Sequence, residues 1–267
     1  MPQTRIQSVF NRLQRQRRAA LIAYLTAGDP TPGNTPAWVA ALERGGADLI
    51  ELGVPFSDPI ADGPVIQRAA DRALQAGTTL AKVLAIGRTI RETSQIPLLL
   101  FTYLNPALQY GFETLARDAK DAGFDGCLLT DLSVEEAEQY VQVMRAAQLD
   151  TVFLAAPTST ESRLRRIAKY SSGFIYLVSR TGVTGERAAL SDSIEPLVRK
   201  MRAITPAPLA VGFGVSTPQQ AGAVAHMADG VVVGSAIVRM IENQAAEKDL
   251  EAFVRSLREG MALAAAL

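Results

Sequence analysis

Two carboxylates near one apolar segment are the residues of this sequence best placed to do chemistry. Glu51 follows the apolar run GADLI, where the pattern calls for another core residue, and Asp62 comes later in a stiff, acidic, proline-containing loop. Strand alternation places Glu51 on the same face as Leu49 and Gly53. If that face is buried, desolvation raises the pKa of the carboxyl group, which then suits proton transfer near neutral pH.

Each candidate also has a purely structural interpretation. Glu51 could be a core glutamate paired with a buried arginine, such as Arg180 at the end of a later apolar segment. Asp62 stands before a Gly-Pro pair and a helical pattern, so it could cap a helix. Tyr176, in FIYLV, could pack in the core with its hydroxyl group satisfied. The residues alone leave these alternatives open.

Other common catalytic groups are missing or badly placed. His226 is the only histidine and lies in a helix-like segment before the last strand, so no transition-metal site is expected. Cys127 lies inside an apolar segment without a histidine to activate it, and no GxSxG motif is present. Lysines occur only in predicted helices or near the C-terminus, which argues against Schiff-base chemistry. They are Lys82, Lys120, Lys169, Lys200 and Lys248.

The elements that must position these groups are eight apolar, strand-like segments alternating with helical patterns. Continuous apolar runs are typical of strands buried on both faces of a parallel sheet. They predict an α/β fold, a (βα)8 TIM barrel with extra helices, including one over residues 6–17 before the first strand. The strand segments are ALIAYL, ADLIEL, PLLLFTY, GCLLTD, TVFLAA, FIYLVS, PLAVGFG and GVVVG. Other helices are predicted over 35–44, 65–76, 79–93, 112–121, 134–147, 163–170 and 219–225.

In such a barrel the functional groups lie at the carboxyl ends of the strands. Glycines end the last two strands in VGFG and VGS, where backbone N–H groups and a helix N-terminus can bind a phosphate group without a lysine. The glycine-rich segment 180–187, after the sixth strand, is typical of a mobile lid, with a plain polar connection as its alternative. Polar candidates at the strand ends are Asp29, Glu51, Asn105, Asp131 and Tyr176.

Composition narrows the class of protein. The chain has 267 residues, 27 basic against 27 acidic side chains and 48% hydrophobic residues, so one domain over residues 1–267 is expected. No global charge attracts nucleic acid or an anionic membrane, and no apolar run is long enough to span a membrane. The single cysteine cannot form an internal disulfide and no signal peptide is recognised, which favours a cytoplasmic location.

Several motifs together make the chain resemble the alpha subunit family of tryptophan synthase along nearly its whole length. The resemblance implies a TIM barrel that cleaves indole-3-glycerol phosphate into indole and glyceraldehyde 3-phosphate by a retro-aldol reaction, with no metal and no organic cofactor. It implies that Glu51 and Asp62 are the catalytic carboxylates and that Tyr176 lines the site. The motifs are LTAGDP, ELGVPFSDPIADGP, YLNP, SRTGVTGER, VGFGVS and VVGSAIV.

The resemblance also implies how substrate and partner bind. The indole ring would lie among aromatic and apolar side chains, the phosphate group on backbone near the glycines, and Thr184 in the lid would meet the catalytic aspartate. The expected partner is the pyridoxal-phosphate-dependent beta subunit, in an alpha2beta2 complex that receives the indole. The implied substrate-binding residues are Tyr24, Phe101, Leu128, Thr184, Gly185, Phe213, Gly214, Gly234 and Ser235.

A rigid loop with an acidic and partly apolar surface is the expected contact with that partner. Such a loop is unusual where only water is met, and Asp58 could pair with a basic group of a partner. The chain departs from the family pattern at Ser133, where proline is expected, at Thr130, and in a shortened stretch over 185–190. The predicted partner-binding residues are Pro55, Phe56, Ser57, Asp58 and Pro59.

Two other functions compete with this one. Another phosphate-binding barrel, such as a sugar-phosphate isomerase or epimerase, is the alternative among enzymes, although metal-binding histidines of such epimerases are missing here. A regulatory subunit that binds a partner and catalyses nothing is the alternative from another class, and the presence of both Glu51 and Asp62 argues against it.

Overall fold

Parallel strands form the centre of the protein. The computed structural model describes residues 3–178, 187–212 and 214–265. Its strands are β1 (Ala20–Thr26), β2 (Leu49–Gly53), β3 (Leu98–Thr102), β4 (Gly126–Leu129), β5 (Asp150–Thr151), β6 (Phe153–Ala155), β7 (Ile175–Val178), β8 (Leu209–Gly212) and β9 (Gly230–Val233). They pair in the order β5-β4-β3-β2-β1-β9-β8-β7-β6.

The two ends of this order meet, because β5 and β6 are consecutive pieces of one segment. Only Val152 separates them, and β5 pairs with β4 while β6 pairs with β7. With β5 and β6 counted as one divided strand, the sheet is a nearly closed barrel of eight strands, and the predicted TIM barrel is confirmed. The predicted fifth strand, TVFLAA, is not continuous, since its first half follows one neighbour and its second half the other.

Helices surround this barrel. They are α1 (Arg5–Arg15), α2 (Thr35–Gly45), α3 (Pro64–Gln75), α4 (Leu80–Arg91), α5 (Leu104–Tyr110), α6 (Phe112–Asp121), α7 (Glu138–Ala146), α8 (Glu161–Tyr170), α9 (Arg187–Ile204), α10 (Pro218–Met227), α11 (Ser235–Glu242) and α12 (Glu247–Ala265), with a 3-10 turn at Pro32–Asn34. The extra helices, including α1 before β1 and the pair α3 and α4 between β2 and β3, are confirmed.

One helix begins later than its pattern predicts. The apolar spacing predicts a helix from residue 134, yet α7 begins at Glu138. The preceding residues form a turn, in which the Glu136 N–H donates to the Ser133 carbonyl at 3.0 Å and the Ser133 hydroxyl bonds the Glu135 carboxylate. Serine competes for local backbone and side-chain hydrogen bonds in this way, which delays the helix.

The strands separate two apolar cores. The outer core lies between the strands and the surrounding helices. The inner core fills the barrel and is closed at the amino end of the strands by Ile6, Phe10 and Leu13 of α1. Thr4 starts this helix by accepting the Gln7 N–H at 3.1 Å. Because α1 plugs one end, the only mouth that the described elements leave for chemistry is at the carboxyl ends.

The helical layer is closed by α12, which packs across α2 and α10. Both contacts need glycine: a Cβ at Gly45 would stand 2.7 Å from the Glu251 carbonyl oxygen, and one at Gly260 would stand 2.3 Å from the Pro218 carbonyl oxygen. Among the helices that the structure describes, none is long and apolar enough to cross a membrane.

Candidate active site

The interior of the barrel carries one carboxylate at its carboxyl end. Tyr24 of β1, Glu51 of β2 and Leu99 of β3 stand side by side in the strand register. Leu49 and Leu99 belong to the inner core, so alternation points Glu51 into the barrel. The Glu51 side chain is completely buried.

Glu51 has no partner among the described residues. Neither carboxyl oxygen accepts or donates a hydrogen bond there. Burial alone raises the pKa of Glu51 to about 8, so the carboxyl group is mostly protonated at neutral pH. No arginine of the described residues bonds Glu51, so the alternative of a core glutamate paired with a buried arginine has no support there. Arg180 lies outside the described residues.

Asp62 is the second carboxylate, and it does not cap a helix. The residue at the N-cap of α3 is Gly63, with no side-chain cap. The Asp62 carboxylate instead accepts a hydrogen bond from the Tyr103 hydroxyl at 2.9 Å. Burial raises the pKa of Asp62 to about 6, although the bond from Tyr103 acts in the opposite direction.

Two tyrosines lie close to these carboxylates. Tyr24 and Tyr176 are both buried, at 6% and 7% exposure. Burial is the main cause that raises the pKa of each phenol, and the charges of Asp62 and Glu51 raise it further. Each tyrosine therefore lies near both carboxylates at the carboxyl end of the barrel, where the resemblance implies that Tyr24 is a wall for the indole and that Tyr176 lines the site.

Glycines make room for the tyrosine rings. A Cβ at Gly53 would stand 2.3 Å from the Tyr24 hydroxyl oxygen, and one at Gly212 would stand 2.2 Å from the Tyr176 hydroxyl oxygen. The Tyr24 ring meets Phe101 edge to face, with ring centroids 5.2 Å apart. Phe101 and Leu128 lie in adjacent register on β3 and β4 and line the same interior. The structure thus brings the predicted apolar walls together.

The glycine turns after β8 and β9 are neighbours, because these two strands pair. Gly214 has φ +81°, a left-handed conformation that favours glycine, and an added Cβ there would meet nothing within 4 Å. Helix α11 begins at Ser235 with Gly234 as its N-cap and no side-chain cap. The first N–H groups of α11 therefore have no helical partner and can bind an anion.

Three predicted substrate-binding residues lie outside the described part of the chain: Thr184, Gly185 and Phe213. The predicted lid over 181–187 also falls there, except for Arg187, where α9 begins.

The predicted partner loop lies beside the same mouth. Pro55 is buried, Phe56 and Pro59 are half-buried, and Ser57 and Asp58 are exposed. The Asp58 carboxylate accepts a hydrogen bond from the Ser57 hydroxyl at 2.6 Å, and Ile60 is 82% exposed just beyond.

Other polar residues at the strand ends have structural partners. Asp29 is buried and forms two bonds of 2.8 Å with the Arg72 guanidinium group of α3. Asp131 accepts the Leu104 N–H at 2.6 Å and so caps α5. Asn105 is exposed. Tertiary partners therefore occupy Asp29 and Asp131, whereas Glu51 has none among the described residues.

Tyr103 is the residue that sequence reasoning missed. It stands in the motif YLNP at the end of β3, and its partner Asp62 lies on a loop 41 residues earlier in the chain, so consecutive residues do not show the contact. The signal was present: a tyrosine at a strand end, next to the residues that point into the barrel.

The histidine, the cysteine and the lysines, which the sequence analysis rejected as catalytic groups, lie where the sequence predicts. His226 is exposed on α10, and all five lysines lie on helices. Cys127 is buried in β4, which raises the pKa of its thiol to about 12. Within the described residues, no three side chains of His, Cys, Asp or Glu come together as a metal site.

The arrangement matches a known family. The sequence model described as "Tryptophan synthase alpha chain" matches residues 10–265. The chain belongs to the tryptophan synthase alpha chain family. It is 64% identical to the tryptophan synthase alpha chain of Solibacter usitatus over 261 residues, which are 96% of this chain and 98% of that relative. It is 49% identical to that of Geotalea uraniireducens, across 97% and 98% of the two chains.

Solved structures of the tryptophan synthase alpha family share the fold. The crystal structure of tryptophan synthase subunit alpha from Legionella pneumophila superposes with a TM-score of 0.91 at 36% identity, covering 98% of this chain and all of that chain. A structure of Mycobacterium tuberculosis tryptophan synthase superposes with a TM-score of 0.90 at 38% identity, covering 97% and 99%. The enzyme role of this chain follows from membership of the family.

Proposed function

We propose that this chain is the indole-3-glycerol-phosphate lyase subunit of tryptophan synthase and that it cleaves its substrate to indole and glyceraldehyde 3-phosphate. One observation carries the proposal: Glu51 is buried without a described partner, and Tyr24 and Tyr176 both lie close enough to feel its charge and that of a second carboxylate, Asp62. The family to which the chain belongs supports the choice of substrate.

Glu51 is the proposed acid and base. Cleavage requires a proton at C3 of the indole ring, and with a pKa of about 8 the carboxyl group holds that proton at neutral pH. Once it has given the proton to C3, the carboxylate accepts the proton of the side-chain hydroxyl. The C–C bond then breaks, the aldehyde forms, and the bonding electrons return to the ring, which leaves as neutral indole. Proton and charge balance over the two transfers.

Asp62 is the proposed electrostatic partner of the indole ring. Protonation at C3 places positive charge on the ring nitrogen, and an ionised carboxylate that accepts the N–H stabilises that charge. With a pKa of about 6, Asp62 is mostly ionised at neutral pH while Glu51 is mostly protonated. Two carboxyl groups in different protonation states are what the reaction needs. Tyr176 is proposed to line the site between them.

The remaining site residues are proposed to bind the substrate. The indole ring would lie against Leu128 and Phe101 of the inner core and against Tyr24, which packs on Phe101. The phosphate group would bind the free N–H groups at Gly234 and Ser235 and the backbone at Gly214. Thr184, Gly185 and Phe213 remain predictions from the sequence.

The proposed partner is a tryptophan synthase beta subunit, in an alpha2beta2 complex that receives the indole. Membership of the family supports a beta partner, and the chain superposes on a structure of Mycobacterium tuberculosis tryptophan synthase. The proposed contact is the loop from Pro55 to Pro59, whose exposed Asp58 and half-buried Phe56 offer charge and apolar surface together. A cytoplasmic location and the absence of any metal or organic cofactor are part of the same proposal.

One assay tests the activity. The purified chain is incubated with indole-3-glycerol phosphate, alone and with a beta subunit, and indole and glyceraldehyde 3-phosphate are measured. We expect both products in equal amounts. No indole under either condition, from a folded chain, would favour the regulatory-subunit alternative. Isomerisation or epimerisation of a sugar phosphate in its place would favour the other barrel enzymes.

A further inference from the structure

The loop that carries Asp62 is attached to the barrel at very few points. Among the described residues, hydrogen bonds of residues 55–62 stay within the loop or reach Gln67 of α3, with one exception. That exception is Tyr103, whose hydroxyl oxygen accepts the Ala61 N–H at 3.1 Å and whose hydroxyl group donates to Asp62 at 2.9 Å.

The ring of Tyr103 makes a further contact at the other end of the loop. It packs on Phe56 with ring centroids 5.2 Å apart and the planes tilted by 34°. One side chain therefore touches the loop near its start, at Phe56, and near its end, at Ala61 and Asp62. Two of these contacts involve the hydroxyl group and one involves the ring, so they can be removed separately.

Tyr103 is itself firmly held. It is 2% exposed, follows directly on β3, and is the N-cap residue of α5. The next residue, Leu104, is fixed by Asp131, which accepts its N–H. The Thr130 hydroxyl lies close enough to the phenol to lower the pKa of Tyr103, although burial is the larger influence and raises it. A side chain with such an anchor transmits its position to the loop.

We propose that Tyr103 is the positioning residue that fixes Asp62, together with the loop over residues 55–62, against the barrel. The inference rests on the proposed function and deepens it. Tyr103 does not touch the reacting atoms; it sets where the Asp62 carboxylate stands and keeps it ionised. Because the same ring packs on Phe56, a partner that docks on the loop changes the position of Asp62 through Tyr103.

The first test is Tyr103→Phe in the intact chain, which keeps the ring contact and removes both hydrogen bonds. The lost donor stabilised the ionised carboxylate, so the pKa of Asp62 rises in the variant. We expect kcat/KM to fall about tenfold at pH 6 and less at pH 8, with the acid limb of the pH profile moved to higher pH. The titratable groups on which the charge of Asp62 acts are Tyr24, Tyr103 and Tyr176, and Glu51 acts on Tyr24 and Tyr176 as well.

A matched control lies on the same helix. Tyr110, the last residue of α5, donates to Asp118 at 2.8 Å outside the barrel, so Tyr110→Phe removes an equivalent tyrosine–aspartate bond far from the site. We expect kcat/KM of this variant to stay within about twofold of wild type, with an unmoved pH profile. An equal loss in both variants would overturn the proposal.

A double-variant cycle gives the decisive result. If Tyr103 acts only through Asp62, Tyr103→Phe has little further effect on the activity of Asp62→Asn, and the two changes are not additive. Additive losses, or an acid limb that does not move, would overturn the proposal. If thermal unfolding shows that Tyr103→Phe is not folded, Phe56→Leu replaces it in the cycle, with an expected loss of about threefold and the same lack of additivity.

The wild-type chain separates the two conclusions. If wild type releases no indole, the proposed function fails, and the role of Tyr103 is tested without activity. The pKa of Asp62 is then measured by NMR titration of a carboxyl-labelled chain. There, Tyr103→Phe must raise the pKa of Asp62 and Tyr110→Phe must not. If wild type releases indole but the cycle is additive, the proposed function stands and only the role of Tyr103 is wrong.

Discussion

Buried carboxylates occur at both ends of this barrel, and they differ in the number of their partners. Asp125, directly before β4, is 4% exposed and bonds the Arg5 guanidinium at 2.9 Å, the Arg91 guanidinium at 3.0 Å and the Leu98 N–H at 3.0 Å. Glu51, at the carboxyl end of β2, is fully buried and bonds none of the described residues.

The pattern of Asp125 recurs around the amino end. Asp48, before β2, bonds Arg258 and the Leu21 N–H. Asp229, before β9, bonds Arg202 at 2.6 Å and the Leu209 N–H at 2.8 Å. Each of these aspartates accepts the N–H near the start of the neighbouring strand, so the carboxylates satisfy backbone groups that the parallel ladder leaves free. At the start of β5, the Asp150 carboxylate accepts hydrogen bonds from the side chains of Thr4, Gln7 and Ser172.

The difference shows how one fold assigns opposite tasks to the same chemical group. At the amino end, several donors hold each carboxylate, although burial still raises the pKa of Asp150. At the carboxyl end, a carboxylate without such donors has its pKa raised by burial and becomes able to exchange a proton. The comparison predicts that changes at the amino end act on stability and changes at the mouth act on activity.

The largest effect should come from removing the exchangeable proton. Glu51→Gln keeps the size of the side chain and should reduce kcat for indole release by about a thousandfold or more, because a general acid-base group alone contributes 10²–10⁴-fold. Asp62→Asn should behave similarly. Steady-state kinetics with indole-3-glycerol phosphate checks both variants, and retention of a tenth of the activity by Glu51→Gln would mean that another group moves the proton.

At the amino end, Asp125→Ala should act on folding instead. It leaves the guanidinium group of Arg91, which is 11% exposed, without its carboxylate, so the free energy of unfolding should fall by about 3 kcal/mol. Urea unfolding measures this change, and kcat per folded molecule should stay close to wild type. A large drop in kcat with unchanged stability would break the division between the two ends.

Glu51 should also make the stability of the protein depend on pH. The folded-state pKa of Glu51 is about 8 against an ordinary value of 4.5, so the folded chain holds this proton more tightly than the unfolded chain. Its contribution to stability is complete below pH 4.5 and is lost as pH rises to about 8, at no more than about 1.4 kcal/mol per pH unit. Glu51→Gln cannot lose a proton, so its stability relative to wild type should grow across this window in pH-dependent urea unfolding.

A smaller effect is expected at the glycine turns of the mouth. The φ of Gly234 is negative, at −121°, and an added Cβ would stand 3.3 Å from the Tyr24 Cβ, a tight contact that a small shift of Tyr24 relieves. Gly234→Ala should therefore fold, yet raise KM for the phosphorylated substrate about tenfold, because the methyl group narrows the space beside the N–H groups of α11. Gly33, where an added Cβ meets nothing within 4 Å, provides the control variant Gly33→Ala. An unchanged KM in Gly234→Ala would move the phosphate site elsewhere.

The smallest effect concerns the partner loop. Asp58 is exposed, and among the described residues its side chain forms a hydrogen bond only with the neighbouring Ser57. Asp58→Ala should leave the activity of the isolated chain within about twofold and weaken activation by a beta subunit several-fold, as expected for one rim charge of an interface. Titration of the lyase rate with beta subunit measures both quantities. Equal activation of variant and wild type would remove Asp58 from the interface.

Much of the architecture could be predicted from the sequence because it depends on local patterns. Continuous apolar runs identify the strands, helical spacing identifies α1, α3 and α4, and the end of a strand identifies where Glu51 stands. The same local patterns fail where non-local contacts decide. The divided strand at residues 150–155 pairs with one neighbour in its first half and with another in its second half, because the barrel closes there. Helix α7 starts late because a turn at Ser133 competes with it.

The sequence by itself determined that a carboxylate lies at the mouth of a parallel barrel, since hydrophobic periodicity and strand alternation are properties of consecutive residues. The tertiary structure alone decided which carboxylates are free to react. Asp29 meets Arg72, Asp131 meets α5 and Asp62 meets Tyr103, whereas Glu51 meets none of the described residues. A pKa depends on burial and on the nearest donors and charges, and these come from residues far apart in the chain.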